Sequence, residues 1–146
     1  MTTKIFTIGF TKKTAEKFFG LLRNVGVRRV IDTRLNRKSQ LAGFAKETDL
    51  PFLLKELVHA DYLLEPITAP TSDMLDAYKS KKIDWPTYEQ QYRVLIQSRE
   101  VEKKLDPSLL DGGCLLCSED KPHHCHRRLL AEYLKETWGN LEICHL

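Results

Sequence analysis

A three-layer α/β domain, with a mostly parallel β-sheet flanked by helices on both faces, is the fold class this sequence predicts. Three observations predict it. The opening reads strand, helix, strand within about thirty residues, the size of a βαβ unit. Further strand and helix patterns then alternate, which argues for a parallel sheet covered on both sides. The chain has 146 residues, 42% of them hydrophobic. That is enough apolar material for one core and too little length for two ordinary domains, so residues 1–146 are read as one domain.

Lys4 to Phe10 alternate in polarity and pass through Gly9, a first strand. Thr11 and Thr14 offer caps to a helix whose Ala15, Phe18, Phe19, Leu22 and Val25 form one apolar stripe, and Gly26 stops it. Val27 to Thr33 reads as a second strand, parallel to the first through a right-handed crossover. Leu35 to Lys46 shows no period and reads as a long basic loop, the kind of segment that often carries function. Asp49 is a cap for a helix with Pro51 in its first turn and Leu50, Leu53, Leu54 and Leu57 on one face. A short strand follows at Tyr62 to Leu64, closed by Pro66 and Pro70.

Thr71 to Lys82 reads as a short helix, and Asp84-Trp85-Pro86 opens a longer one carrying Tyr88, Tyr92, Leu95 and Ile96. Aromatic residues at that spacing are read as core, with a dimer face as the alternative. After Gly112-Gly113, Cys114 to Cys117 is a brief apolar run typical of a buried central strand. Pro122 is read as the start of a last helix bearing Leu129, Leu130, Tyr133 and Leu134, and Leu141 to Leu146 as an edge strand.

Lys and Arg total 23 against 20 Asp and Glu, a net +3 that a solvated surface carries without a nucleic-acid partner. The N-terminus runs directly into a strand, with no charged-then-apolar leader, and no apolar run approaches membrane-spanning length. The expectation is a cytoplasmic protein with no membrane partner. In a reducing compartment, Cys114, Cys117, Cys125 and Cys144 are expected as free thiols, metal ligands or a reactive thiolate rather than a disulfide scaffold. Cys114 and Cys144 are read as core.

In an open parallel sheet, ligands collect outside the carboxyl ends of the strands. Here those ends deliver Gly9, Phe10 and Thr11, then Asp32 and Arg34, then Cys117 and Glu119. The densest signal runs from Cys117 to Arg127, with two thiols, imidazoles, a carboxylate and a guanidinium. A thiol near a helix N-terminus and beside Arg or His shifts toward thiolate, so Cys117 or Cys125 is a candidate nucleophile, with Glu119 or His126 handling protons. The same segment superficially resembles a zinc site. Its least strained version uses Cys117, Cys125 and a histidine such as His126, with an open position. The bland alternative is core cysteines, a hydrogen-bonded histidine and a clamping arginine. Separately, Arg28, Arg29, Arg34, Arg37, Lys38 and Lys46 with Phe44 suggest a surface that tracks a phosphate backbone, although such clusters are more often merely solvated.

At these residues the chain resembles the prokaryotic family catalogued as domain of unknown function 488. The resemblance runs nearly end to end. It rests on Thr7-Ile8-Gly9-Phe10-Thr11, on Asp32-Thr33-Arg34 followed by Ser39, and on Leu115 to Glu119 followed by Cys125-His126-Arg127. Two positions depart from the family pattern: Arg37 replaces a common proline, and Glu65-Pro66-Ile67 lacks a glycine-rich turn. The resemblance implies no function. It does select the residues that the strand-end rule had selected, and a polar set drawn from three strand ends is a costly way to fill a core.

Together these readings predict a pocket floored by Gly9 and Thr11, with Asp32, Arg34 and Ser39 on one wall and the Cys117 to Arg127 segment on the other. The leading expectation is an enzyme acting on a phosphorylated or nucleotide-like ligand. Arg34 and Arg127 would bind anionic groups, Cys117 or Cys125 would be the nucleophile, and Glu119 the acid or base. The alternatives are a nucleic-acid-binding module and a metal-binding protein using Cys117, Cys125 and His126. No cofactor and no oligomeric state follow from the sequence.

Overall fold

The structure, a computed structural model, describes residues 2–37 and 42–146. Lys38 and Ser39 lie outside the described residues. Five strands form one sheet: β1 (Thr3–Gly9), β2 (Arg29–Asp32), β3 (Asp61–Leu64), β4 (Gly113–Cys117) and β5 (Leu141–His145). Their order is β3-β2-β4-β1-β5, and every neighbouring pair is parallel. The central strand β4 is buried along its whole length, as its unbroken apolar run requires.

Side chains alternate across the sheet. Phe6, Ile8, Val30, Cys114 and Leu116 meet α1 (Ala15–Asn24) and α2 (Leu50–Val58) on one face. Ile5, Ile31 and Leu115 meet the opposite layer, which contains α3 (Ser72–Lys79), α4 (Trp85–Ser98), α5 (Val101–Lys104), α6 (Pro107–Leu110) and α7 (His126–Trp138). In α7, Leu129, Leu130 and Leu134 are completely buried. Each such side chain stabilises the fold by roughly 1.5–3 kcal/mol relative to leaving it in water.

Thr14, Thr71 and Asp84 each accept a backbone N–H three residues on, capping α1, α3 and α4. Two expected helix starts differ. The Asp49 side chain makes no cap bond, because the backbone is already helical there and the Leu50 N–H bonds to the Lys46 carbonyl. Pro122 does not begin the last helix. The chain turns through residues 118–124, and α7 starts at His126 with Cys125 as its extended N-cap. No helix among the described residues is long and apolar enough to cross a membrane.

The topology fixes where a crevice opens. The chain leaving β2 turns to the α2 side of the sheet, whereas the chain leaving its neighbour β4 turns to the α7 side. Between two such strands the carboxyl ends diverge, leaving space for a ligand.

Candidate active site

A cavity of about 100 Å³ opens at that point. One side is Arg34 to Asn36 after β2, the floor is Cys117 to Glu119 after β4, and the start of α7 adds His124, Cys125 and His126. The opposite wall comes from α3 and α4, with Tyr78, Lys79, Trp85 and Tyr88. Trp85 stacks on Tyr88 at 5.3 Å and on His124 at 4.8 Å. Trp85 is half-buried against the core, and the core reading of the helical spacing holds for Tyr88, which also lines the cavity, and for Tyr92. That ring is buried, with its hydroxyl donating to the Thr68 carbonyl at 2.6 Å.

Cys117 ends β4 and Cys125 caps α7, and the turn between them brings both sulfurs to the cavity. They are joined as a disulfide, with Cα atoms 7.3 Å apart. The sequence reading of free thiols, metal ligands or a reactive thiolate rather than a disulfide is corrected for this pair, which a seven-residue turn between a strand end and a helix cap brings together. Cys114 and Cys144 are free. Cys114 lies on the α1/α2 side of the sheet, where burial pushes its thiol pKa up and keeps it protonated.

Arg127 is the organising residue. Its side chain lies completely inside the protein. Nη1 donates to the Glu119 carbonyl, to Cys117 Sγ at 3.4 Å and to Cys125 Sγ at 3.9 Å. Nη2 donates to the Asp120 carbonyl at 3.2 Å, and Nε donates to Thr7 Oγ1 at 3.2 Å. Thr7 Oγ1 in turn bonds Nδ1 of His145 at 2.6 Å. Among the described residues, none of the hydrogen bonds of this guanidinium goes to a carboxylate. Burial without one lowers its pKa to about 10. Expected to reach outward to an anion, Arg127 instead lies beneath the sulfurs.

Gly9 and Thr11 support this arrangement from below. A Cβ on Gly9 would stand 1.5 Å from the Glu119 carbonyl oxygen and 2.6 Å from Arg127 Nη1, so no side chain fits there. Thr11 donates its N–H and its hydroxyl to the Ser118 carbonyl, at 3.1 and 2.8 Å. Lys13 adds an ion pair to Asp120 at 2.7 Å. Both Gly9 and Thr11 therefore hold the Cys117 to Asp120 turn, and neither lines the cavity.

Asp32 is buried and accepts from Arg34 three times: from the backbone N–H at 3.1 Å, from Nε at 2.9 Å and from Nη2 at 2.8 Å. The Tyr62 hydroxyl donates to the same carboxylate at 2.5 Å, and burial followed by this bond raises the Tyr62 pKa, keeping the phenol protonated. Arg34 also packs over the Phe10 ring at 5.4 Å. It reaches the cavity wall, but its donors on that side of the guanidinium are engaged with Asp32. Ser39 lies outside the described residues.

His126 Nε2 lies 2.8 Å from the Thr33 carbonyl and 3.0 Å from Thr33 Oγ1, whose own proton goes to the Leu116 carbonyl. A carbonyl only accepts, so Nε2 carries the ring proton and Nδ1 keeps the lone pair. Burial lowers the His126 pKa to about 4, so the imidazole is neutral near pH 7. Glu119 is exposed and lines the cavity. Donor atoms of Cys117, Cys125 and His126 lie within 4.8 Å of one another, which matches zinc's usual donors. The buried guanidinium against both sulfurs counts against a second cation there.

Arg29 donates to the Leu109 carbonyl, and Arg37 pairs with Glu47 at 2.8 Å. Phe44 packs against Phe18 and Phe19. No curated protein and no solved structure shows significant similarity to the chain. The family model described as domain of unknown function DUF488 matches residues 14–134, which include the β2 end, the aromatic wall and the whole Cys117 to Arg127 segment, and the chain belongs to that family.

Proposed function

We propose that the protein is an enzyme whose nucleophile is the Cys117 thiolate. It acts on a small ligand of the phosphorylated or nucleotide-like class held in the cavity between β2 and β4. The observation that carries this reading is Arg127: a buried cation with no carboxylate partner, hydrogen-bonded to two cysteine sulfurs. Leaving a buried charge uncompensated is costly. In the reduced protein a thiolate is the anion that compensates it. Cys117, the nearer sulfur, receives the larger share, and an ionised thiol is the nucleophilic form. The aromatic wall suits a planar ring, Lys79 brings an ammonium group to the same wall, and Glu119 supplies a proton-transfer group at the mouth.

The test is competitive labelling of the reduced protein with iodoacetamide near pH 7, read by peptide mass spectrometry. Cys117 should be alkylated far faster than Cys114. Cys117→Ser should lose the fast phase, and all turnover, while keeping the far-UV spectrum and urea midpoint of the parent. Fast labelling that persists in the variant, or a Cys117 as inert as Cys114, overturns the proposal.

A further inference from the structure

Resting on Cys117 as the nucleophile, we infer that Cys125 is its resolving thiol, and that the reaction is a two-electron reduction of a small ligand carrying a cleavable S–S or O–O bond. A nucleophile that only transfers an acyl or phosphoryl group gains nothing from a second sulfur within bonding distance, since oxidation would disable it. Here both sulfurs line one cavity and are bonded to each other across a single turn. Their Cα spacing of 7.3 Å is wider than the usual disulfide spacing, so this backbone suits two adjacent thiols and must draw in to hold the bond between them.

Arg127 donates to both sulfurs, so negative charge can pass from one to the other without leaving its counter-ion. Closing the disulfide deprives the guanidinium of that anion. A reduced form stabilised in this way makes the disulfide easy to reopen, which is what a recycling catalyst needs. The two free cysteines have no such surroundings: Cys114 is sealed on the other side of the sheet, and Cys144 lies on the edge strand β5.

The Cys117 thiolate attacks a ligand X–Y, forming an S–X bond and expelling Y⁻, which takes up a proton. The Cys125 thiolate, its proton lost to solvent or to the departing group, then attacks Cys117 Sγ and expels X⁻, which is protonated in turn. Two thiols and X–Y become one disulfide, XH and YH, so the ligand gains two electrons and two protons. An external dithiol reductant reopens the disulfide for the next cycle. Holding the resolving thiol beside the adduct makes the second step intramolecular, with a large gain in effective concentration.

Two probes separate the ligand chemistries: hydrogen peroxide for O–O bonds and bis(2-hydroxyethyl) disulfide for S–S bonds, each added in equimolar amount to reduced, desalted protein. With at least one probe, the parent protein should lose two thiols and gain the Cys117–Cys125 bond, as seen in intact mass and non-reducing peptide maps. With that probe, Cys125→Ser should stop at an adduct on Cys117, a dimedone-reactive sulfenic acid or a mixed disulfide with one mercaptoethanol. Its multiple-turnover rate with a dithiol should fall about tenfold or more. Fast alkylation of Cys117, combined with a pair left reduced by both probes or a Cys125→Ser variant that turns over normally, overturns the two-thiol cycle and leaves the nucleophile reading intact. An inert Cys117 removes both. Stoichiometric zinc in the untagged protein, protecting both thiols until a chelator is added, also overturns the cycle.

Discussion

Asp32→Asn should lower the free energy of unfolding by about 3–5 kcal/mol, the cost of leaving a buried charge without its partner. Asp32 faces Arg34 with both carboxylate oxygens, and the pair is almost entirely out of water. Asparagine keeps one acceptor but removes the charge, and it turns an amide N–H₂ toward the guanidinium and phenol donors that the carboxylate accepts from. The Tyr62 hydroxyl loses its acceptor in the same substitution. Adding Arg34→Met to the variant should recover much of the loss, because the orphaned charge then disappears. Urea denaturation of the single and double variants checks both statements. A single-variant cost below about 1 kcal/mol, the range of exposed ion pairs, would contradict the burial argument.

Arg127→Gln should slow alkylation of Cys117 near pH 7 by about tenfold or more, since a neighbouring cation commonly favours the charged form of its partner by one pKa unit or more. Glutamine is long enough to keep one of the carbonyl contacts but carries no charge. Arg127→Lys retains the charge and loses the planar fork that reaches the Glu119 and Asp120 carbonyls and both sulfurs together. It should therefore keep more thiol reactivity than Arg127→Gln while losing comparable stability. Labelling rates and urea midpoints measured on the same samples separate the two effects. Equal reactivity in the glutamine variant and the parent would show that the guanidinium only braces the turn.

The elements most legible in the sequence are those whose period is strong. The stripe of α1 and the unbroken apolar run of β4 point to their places in the fold, whereas β1, read as alternating, is buried without a break from Ile5 to Gly9 because it pairs on both edges. Position at a strand end was equally legible, which is how Asp32, Cys117 and Glu119 are selected without coordinates. What a sequence does not carry is the direction of a long side chain. Arg34 and Arg127 look the same on paper as two ligand-binding arginines, yet one closes on a carboxylate two residues away and the other turns inward beneath the sulfurs. Thr7, the hydroxyl partner of Arg127, falls inside the first motif of the family resemblance, but nothing in the strand around it announces a bond to a residue of the last helix. The aromatic wall was hidden for another reason. Trp85 and Tyr88 lie some distance along the chain from Cys117, and only the packing of α3 and α4 across the sheet brings them to it. The disulfide depends on the shape of the turn after β4, and Pro122 suggested a helix where that turn lies.

The most direct check of the buried-cation account is the rate at which the fully reduced protein is alkylated at Cys117 as a function of pH. Thiolate fraction rises with pH, so the rate must climb and then level off. With Arg127 against the sulfur it should already be level near neutrality, below the region around pH 8.5 where an ordinary thiol ionises. A rate that keeps rising through that region, as for an unassisted cysteine, would mean that the guanidinium beneath the two sulfurs does not activate them.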